Sequence, residues 1–421
     1  MAGSIMRPLA PALLALSLFH APAARADDLS FSQEALKRIP VAMQREIDKG
    51  TFPGAVTLIA HDGKIVHFEA HGFLDAAKTK PMTKDAVFRA FSMTKPFVSV
   101  AAMMLVERGQ LSLRDPVGQY IPEMKAMNVI AEKKDESGKT VREVVPAKNP
   151  ITIQDLLRHT SGLTYSGSAP FPEVKEAYEK ADIESRNSDL SPEAFVSGLA
   201  KIPLAYEPGT RFEYGLSVDV LGVVVERVSG KRLDVFLDEN LFKPLKMKDT
   251  AFQLTPAQAP RLADALDADP QKEAGWKWVR VDQDPGKRYR LGGAGTVTTA
   301  EDYFRFSQMM LNGGVLDGVR ILSPKTVDFM LSDHLIGLGG STAASTGPGY
   351  GFGLGFAIRR QEGFAVVPGS KGDAMWAGAG GTSFTIDPKE EIVGVFMSAA
   401  PTPRVATRML FKNLLYGATV D

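Results

Sequence analysis

The stretch FRAFSMTKPFVSV, residues 88–100, changes from a short apolar run typical of a strand to a helical one, and Ser92 and Lys95 stand at the change. Residues three positions apart share one face of a helical turn, so the lysine amine is expected within reach of the serine hydroxyl. Pro96 fits only the first turn of a helix, which places Ser92 at the helix entrance. Backbone N–H groups at a helix start favour a developing negative charge. The stretch therefore predicts a nucleophilic serine with a lysine partner.

A serine hydroxyl is a weak nucleophile at neutral pH unless a neighbouring group takes its proton. Lys95 acts as that base only when it is uncharged, and an ordinary lysine pKa of about 10.4 leaves almost none in this form. Burial and a cationic or polar neighbour lower a lysine pKa, so we expect a further residue beside the pair. A tyrosine is the expected type, because its hydroxyl passes protons in both directions. The spacing alone leaves open that Ser92 is only a helix cap and Lys95 a solvated residue.

Strands are expected at both ends of the chain. The segment GAVTLIAHDGKIVHFEA, residues 54–70, alternates apolar and polar residues like two strands joined by an Asp-Gly turn. Near the C terminus, residues 351–360, 381–388 and 391–399 have the same character, and a helix over 403–415 closes the chain. Ends that are both rich in strands predict one sheet assembled from the two termini.

Helices are expected between these ends, over 96–109, 215–228 and 300–311. The helix at 215–228 is apolar almost all round, which indicates that it lies inside the protein. Residues 125–150 are charged and show no period, which indicates an excursion on the surface. Residues 164–192 are rich in Ser, Pro, Gly and charges and are predicted to form a long loop that borders a cleft.

This order of elements predicts an α/β (α+β) fold, with a sheet flanked by helices and an inserted helical domain. Residues 27–95 and 290–421 are assigned to the α/β sandwich domain, and residues 96–289 to the mainly helical insertion. The active site is expected between the two parts.

The first 26 residues have the features of a secretory signal peptide. Arg7 precedes an apolar run, residues 12–19, and the small-residue segment Ala24-Arg25-Ala26 follows it. The apolar run is short for a bilayer span, so an uncleaved anchor is the lesser interpretation. We expect cleavage after Ala26, a periplasmic or secreted mature protein, and no stable membrane insertion once the signal is removed.

Charge and cysteine content exclude several classes of protein. The chain has 49 Lys and Arg against 49 Asp and Glu, and two of the basic residues lie in residues 1–26, which leaves a formal charge of −2 for the mature chain. A near-neutral chain gives no electrostatic reason to bind nucleic acid. The absence of cysteine from the sequence excludes thiol catalysis and disulfides. The sequence does not indicate an oligomeric state.

Five segments, in order along the chain, carry a resemblance to a known family. They are FSMTKP (91–96), LLRHTSGL (156–163), PGTRFEYGLSVDVLG (208–222), LGGAG (291–295) and MWAGAGGTSFTIDP (375–388). Together they resemble the serine β-lactamase and penicillin-binding-protein superfamily, and within it the class C β-lactamase-related carboxylesterases of family VIII. The resemblance covers nearly all of residues 30–415. It implies the β-lactamase/DD-peptidase-like fold, with an antiparallel sheet.

The resemblance implies three catalytic residues. Ser92 matches the serine that the family acylates, and Lys95 matches its partner in the S-x-x-K motif. Tyr214 matches the tyrosine of the second motif, which works with that lysine as the base. Enzymes of this kind form an acyl-serine intermediate, so no metal and no organic cofactor is expected.

The third motif of the family matches Trp376-Ala377-Gly378. The resemblance implies that Trp376 and Gly378 contact the substrate, and that the backbone N–H groups of Ser92 and Ala379 form the oxyanion hole. Small residues suit this place, because the backbone has to approach the acyl group closely.

Two departures from class C β-lactamases bear on the substrate. Leu216 stands where their second motif has an asparagine, and Trp376 stands where their third motif has a lysine. A carboxylate buried without a cation is costly, so the loss of both polar groups favours uncharged esters over penicillins and peptides. The expected partner is therefore a small-molecule ester. The open alternatives are a β-lactamase, D-aminopeptidase or DD-peptidase activity, and a non-catalytic protein that only binds a penicillin-like ligand.

Histidine chemistry is not expected at the site. His159, just after a short helix in LLRHTSGL, is interpreted as a structural hydrogen-bonding residue rather than as part of a triad. The remaining histidines of the mature chain show no metal-ligand spacing, and the sequence has no H-E-x-x-H motif. It also lacks the G-x-S-x-G turn of α/β-hydrolases, which removes that competing serine site.

Overall fold

The computed structural model describes residues 30–184, 190–273 and 289–420, together with Met1, Gly3 and Val281. The predicted signal peptide and its cleavage point after Ala26 lie outside the described residues except for Met1 and Gly3, so both stay predictions. Among the helices that are described, none is long and apolar enough to cross a bilayer.

The strands, in chain order, are short except for those near the two ends. They are Ser30–Phe31 (β1), Gly54–His61 (β2), Lys64–Gly72 (β3), Phe88–Arg89 (β4), Asn128–Lys134 (β5), Thr140–Pro146 (β6), Val297–Thr298 (β7), Val315–Leu316 (β8), Val319–Arg320 (β9), Tyr350–Phe352 (β10), Ala357–Arg359 (β11), Ala374–Ala377 (β12), Ser383–Asp387 (β13), Ile392–Ser398 (β14) and Thr419–Val420 (β15).

Seven of these strands form one antiparallel sheet in the order β10-β11-β12-β13-β14-β2-β3. The N-terminal hairpin joins the C-terminal strands through β14 and β2, which pair from Ile392 opposite His61 to Ser398 opposite Ala55. Asp62 and Gly63 both have positive φ, 49° and 71°, at the predicted hairpin turn. The prediction of one sheet built from the two termini is confirmed.

The α-helices fill the middle of the chain and cover the sheet. They are Gln33–Leu36 (α1), Arg38–Asp48 (α2), Thr94–Glu107 (α3), Ile153–Leu157 (α4), Pro172–Ala181 (α5), Pro192–Leu199 (α6), Ser217–Ser229 (α7), Leu233–Leu237 (α8), Ala300–Leu311 (α9), Pro324–Met330 (α10), Ala343–Thr346 (α11) and Arg404–Tyr416 (α12).

Each face of the sheet is covered by helices. Helix α9 packs against β13, β14 and β2 on one face, and α2 and α12 pack on the other. Because β2 and β14 are covered on both faces, nearly all of their residues are buried, including both Leu58 and Ile59. This arrangement is the predicted β-lactamase/DD-peptidase-like fold. The proposed division into 27–95 with 290–421 and 96–289 stays a prediction.

The predicted helices at 96–109, 215–228 and 300–311 are observed as α3, α7 and α9. Helix α3 packs against α7, and both are buried over most of their length. The absence of a polar face on α7 is therefore explained by its central position.

Two segments differ from the sequence-based expectation. Residues 125–150, expected to be irregular, contain the β5–β6 hairpin, whose charged side chains pair across the strands, as Arg142 does with Glu132 at 3.1 Å. Residues 164–192, expected to be a loop, contain α5, where Val174 and Tyr178 lie one turn apart and are both buried. Both elements keep the period of a strand or a helix, but mainly with charged residues, so the apolar pattern does not reveal them.

Candidate active site

Ser92 lies at the entrance of a helix, as predicted. It is the middle residue of a 3₁₀ turn, Phe91–Met93, that leads directly into α3. Pro96 occupies the first turn of α3, where its missing N–H costs no helical hydrogen bond. Phe91 has φ of 48°, an unusual conformation for a bulky residue, and it turns the chain sharply just before the serine. The serine side chain is half-buried, at the edge of the core.

Lys95 is buried, with 1% of its surface exposed, and its amine is held from three directions. Nζ donates to Ser92 Oγ at 3.3 Å, to the backbone carbonyl of Gly293 at 2.8 Å and to Tyr165 Oη at 3.1 Å. Three donors in three fixed bonds match the three hydrogens of an ammonium group. The amine is therefore positioned with little freedom, one bond being to the serine.

The protonation of Lys95 differs from the sequence-based expectation of a neutral amine. Burial on its own lowers the pKa of Lys95, but the charges that Tyr165, Tyr214 and Asp219 can carry outweigh burial and raise that pKa above its usual value. Lys95 is thus a cation at neutral pH. Its role beside Ser92 is to stabilise negative charge, and the proton acceptor has to be another group.

Tyr214 supplies that group. Its hydroxyl donates to Ser92 Oγ at 2.8 Å, and Lys95 Nζ lies 4.8 Å from the centre of its ring. The residue lies just before α7, on the segment that the resemblance assigned to the second motif. Its ring packs against His159 and Trp376, with centroids 4.8 Å and 5.2 Å away. The three residues predicted as catalytic are therefore brought together, although Tyr214 lies far from the other two in the chain.

The third motif lies on and just after β12. Trp376 is 3% exposed and packs edge-on against Tyr214 and Phe352, so its contacts within the protein are those of a packing residue. Gly378 lies against the backbone before Ser92: a Cβ at this position would be 2.2 Å from the carbonyl oxygen of Ala90. Only glycine permits this approach. Substrate contact by Trp376 and Gly378 stays a prediction.

Three residues that the sequence analysis did not single out take part in the site. Tyr165 bonds Lys95 from the segment expected to be a loop, and it directly follows LLRHTSGLT, one of the family-like motifs. The LGGAG motif contributes the Gly293 carbonyl that accepts from Lys95, and the Gly293 N–H donates to Asp219 Oδ1 at 3.1 Å. The proximity of Tyr165 and Gly293 to recognised motifs was the available signal.

Arg408 supports the third motif from the C-terminal helix α12. Its Nη2 donates to the carbonyl oxygen of Gly378, the residue before the predicted oxyanion donor Ala379. No acidic side chain in the described part of the chain forms an ion pair with Arg408. Burial lowers the pKa of Arg408 to about 9, and the nearby charge of Arg404 lowers it further. Nothing in the sequence pattern of α12 indicated this contact.

His159 does not have the predicted role. It is fully buried, and neither ring nitrogen has a hydrogen-bond partner among the described residues. The ring lies between Phe212, Tyr214 and Phe352, and burial, together with the charge of Lys95, lowers its pKa well below the usual value. Its backbone carbonyl accepts from Glu213 N at 2.8 Å. His159 therefore acts as a neutral packing residue behind Tyr214.

The sequence profile of the family described as Beta-lactamase matches residues 41–417. The chain belongs to the beta-lactamase family. Esterase EstB of Burkholderia gladioli is 30% identical over 387 residues, which cover 87% of this chain and 91% of EstB. Lovastatin esterase of Penicillium rubens is 30% identical over 388 residues, or 86% of this chain and 92% of that enzyme. The family, and its esterase branch in particular, thus extends over nearly the whole chain.

A solved structure gives the same result for the fold. EstCE1, described as a hydrolase with promiscuous acyltransferase activity, superimposes with a TM-score of 0.74 at 29% identity. The match covers 91% of this chain and 99% of EstCE1. The resemblance to family VIII carboxylesterases is therefore confirmed, and the chain is a beta-lactamase-family protein related to hydrolases and acyltransferases.

Proposed function

We propose that this protein is a carboxylesterase that cleaves small esters through an acyl intermediate on Ser92. One observation carries the proposal: Ser92 Oγ lies 2.8 Å from Tyr214 Oη and 3.3 Å from Lys95 Nζ. A nucleophile, a proton acceptor and a cation meet at one point, which is what activation of a serine hydroxyl requires. The esterases among its relatives support the same reaction class.

The proton transfers follow from these contacts. In the reactive form the set has lost one proton, and the negative charge rests on the Tyr214 oxygen beside the Lys95 ammonium. Ser92 passes its proton to Tyr214 as Oγ bonds to the ester carbonyl carbon. Tyr214 returns that proton to the departing alkoxide, and the alcohol leaves the acyl-serine. Water then repeats both transfers, which releases the carboxylic acid and restores Ser92.

The oxyanion of the tetrahedral intermediate is assigned to the backbone N–H groups of Ser92 and Ala379. The close approach of Gly378 to the Ala90 carbonyl supports this assignment, because it brings the end of β12 against the segment that carries Ser92. Arg408 adds to it by bonding the Gly378 carbonyl, which fixes the peptide that precedes Ala379.

The proposed substrate is an uncharged ester. The two positions at which class C β-lactamases present polar groups hold Leu216 and Trp376, which are 2% and 3% exposed and turned into the core. Neither offers a polar group to a substrate amide or carboxylate. A penicillin or a peptide stem would therefore lose hydrogen bonds to solvent without replacing them.

Three substrates distinguish the alternatives when they are compared on one preparation. We expect short-chain p-nitrophenyl esters to be hydrolysed with kcat/KM orders of magnitude above those for a chromogenic cephalosporin and for D-amino-acid amides. Faster turnover of the cephalosporin or the amides would overturn the esterase proposal. Ser92→Ala should abolish every activity, and no turnover together with no labelling of Ser92 by a phosphonate ester would indicate a binding protein.

Acyl transfer to an alcohol is the second candidate, and the relatives favour it. EstCE1 is described as having promiscuous acyltransferase activity, and acyltransferase mokF of Monascus pilosus is 30% identical over 322 residues. Both reactions share the acyl-serine and differ only in the acceptor. Adding a primary alcohol during ester turnover and measuring new ester against free acid gives the partition between them.

We further propose that the reaction takes place outside the cytoplasm, after removal of residues 1–26. The basis is the signal-like segment in the sequence. N-terminal sequencing of the protein recovered from the periplasm or medium tests this directly. A mature chain that begins at Asp27 is expected, and an intact Met1 in a cytoplasmic fraction would contradict it.

A further inference from the structure

Two histidines and a glutamate lie side by side on the edge strand β3, far from the serine site. His67, Glu69 and His71 alternate along the strand, so all three side chains point to the same face of the sheet. β3 is four strand positions from β12, a separation of about 19 Å at the usual strand spacing of about 4.8 Å. These residues therefore do not belong to the site already described.

The three side chains are already close enough to share one ion. One ring nitrogen of each histidine and one carboxylate oxygen lie within 4.8 Å of one another, and His67 Nδ1 is 3.8 Å from Glu69 Oε1. Tetrahedral zinc, with bonds of about 2.0–2.2 Å, needs ligand atoms about 3.4 Å apart. Small side-chain adjustments reach that distance. Within the residues that the structure describes, no other group of three His, Cys, Asp or Glu is gathered in this way.

Thr57 fixes the two imidazoles from behind. Its Oγ1 is 2.7 Å from His67 Nε2 and 2.9 Å from His71 Nε2, and the side chain is fully buried on the neighbouring strand. A hydroxyl oxygen has two lone pairs and accepts both Nε2–H bonds. Each histidine then keeps its lone pair on Nδ1. Metal-binding histidines are held in the same way, with the second ring N–H donated to a neighbouring oxygen.

Burial and access also fit an ion. His67 and His71 are 6% and 7% exposed, with their rings nearly parallel at an interplanar angle of 13°. The Glu69 side chain is 47% exposed, and with His71 it lines a groove between β3 and helix α2 that opens to solvent. Two rigid nitrogen donors and one mobile carboxylate leave a fourth position for water.

We propose that His67, Glu69 and His71 form a binding site for a divalent transition-metal ion, with zinc as the ion that the donor set suits best. The ion would bridge three residues of the strand that ends the sheet, and binding would stabilise the folded protein. The site is independent of the proposed ester hydrolysis and is not assigned a role in it.

The test uses the full-length protein, stripped with EDTA and desalted. Equilibrium dialysis against Zn²⁺ is expected to give one ion per chain and a raised Tm, and Co²⁺ is expected to give the visible absorption of a four-coordinate site. His71→Asn and Glu69→Gln should each weaken Zn²⁺ binding at least about tenfold, and Thr57→Val should weaken it by a similar factor through loss of histidine orientation.

His61→Asn is the matched control, because His61 ends β2 beside the same strand pair but lies outside the cluster. It should bind Zn²⁺ like the unaltered protein. Glu69 is exposed, so Glu69→Gln separates loss of a ligand from loss of folding even where a histidine variant is unstable. Failure of the stripped protein to take up Zn²⁺, or undiminished uptake by Glu69→Gln and His71→Asn, would overturn the proposal.

Discussion

Tyr214 Oη lies 2.8 Å from Ser92 Oγ, although 122 positions separate the two residues in the chain. The contact exists because α7 packs against α3, which brings the residues just before each helix together. Lys95 lies beneath both hydroxyl groups. The relationship assigns the proton transfer to Tyr214 and the stabilisation of charge to Lys95.

Tyr214→Phe tests this assignment. Loss of the proton acceptor is expected to lower kcat for p-nitrophenyl esters by about 10²–10⁴, with a smaller effect on KM. The ring and its packing remain, so Tm should change little. Tyr206→Phe, which removes a hydroxyl outside the site, is the matched control and should keep full activity. A Tyr214→Phe enzyme with normal kcat would assign the base elsewhere.

Tyr165→Phe is expected to have a smaller effect than Tyr214→Phe. The Tyr165 hydroxyl bonds Lys95 Nζ at 3.1 Å and has no printed contact with Ser92 Oγ, so its loss frees one of the three ammonium bonds without removing the base. We expect a fall in kcat of about tenfold, the cost of one hydrogen bond of about 1–1.5 kcal/mol. Measured losses in the reverse order would exchange the roles of the two tyrosines.

Gly293→Ala should impair the site through the lysine. A Cβ on Gly293 would be 2.3 Å from Asp219 Oδ2 and 3.1 Å from Lys95 Nζ, so both side chains have to move. A loss of kcat exceeding tenfold is expected, with Ser92 labelled more slowly by a phosphonate ester. Gly167→Ala is the control, since a Cβ there meets nothing within 4 Å. Equal rates for the two variants would contradict the positioning of Lys95 by the Gly293 segment.

His159→Phe should change the acid stability of the protein. The native pKa of His159 is lowered by burial, so below about pH 6.5 the unfolded chain binds a proton that the native state does not. Stability is therefore lost as the pH falls from about 6.5 toward the native pKa. Removing the imidazole should reduce that slope by up to about 1.4 kcal/mol per pH unit.

Urea unfolding of His159→Phe between pH 4.5 and 7.5 measures this slope. At neutral pH the variant should be about as stable as the original, because no hydrogen bond of the ring is lost in the described structure. His61→Gln, on a half-exposed histidine, serves as the comparison. The same acid slope with and without His159 would show that the ring is solvated in the native state.

The sequence predicted what depends on neighbours in the chain. The spacing of Ser92 and Lys95 placed both on one helical turn, and the apolar periods of β2, β3, α3, α7 and α9 gave elements within a few residues of those observed. Tyr214 entered through resemblance, because no local pattern connects it to Ser92. The contacts of Tyr165 and Arg408 depend on packing between distant elements, which periodicity does not encode. The protonation of Lys95 was wrong for the same reason, since its neighbours Tyr165 and Asp219 were not known.

The pairing of β2 with β14 has a consequence for biosynthesis. Ala55 leaves the ribosome early, yet its partner Ser398 is among the last residues to be made. The central sheet cannot close on a nascent chain, and such distant pairings form slowly. The nucleophile, though translated near the start, therefore gains its completed surroundings only when translation has ended, so a prematurely terminated polypeptide would be inert.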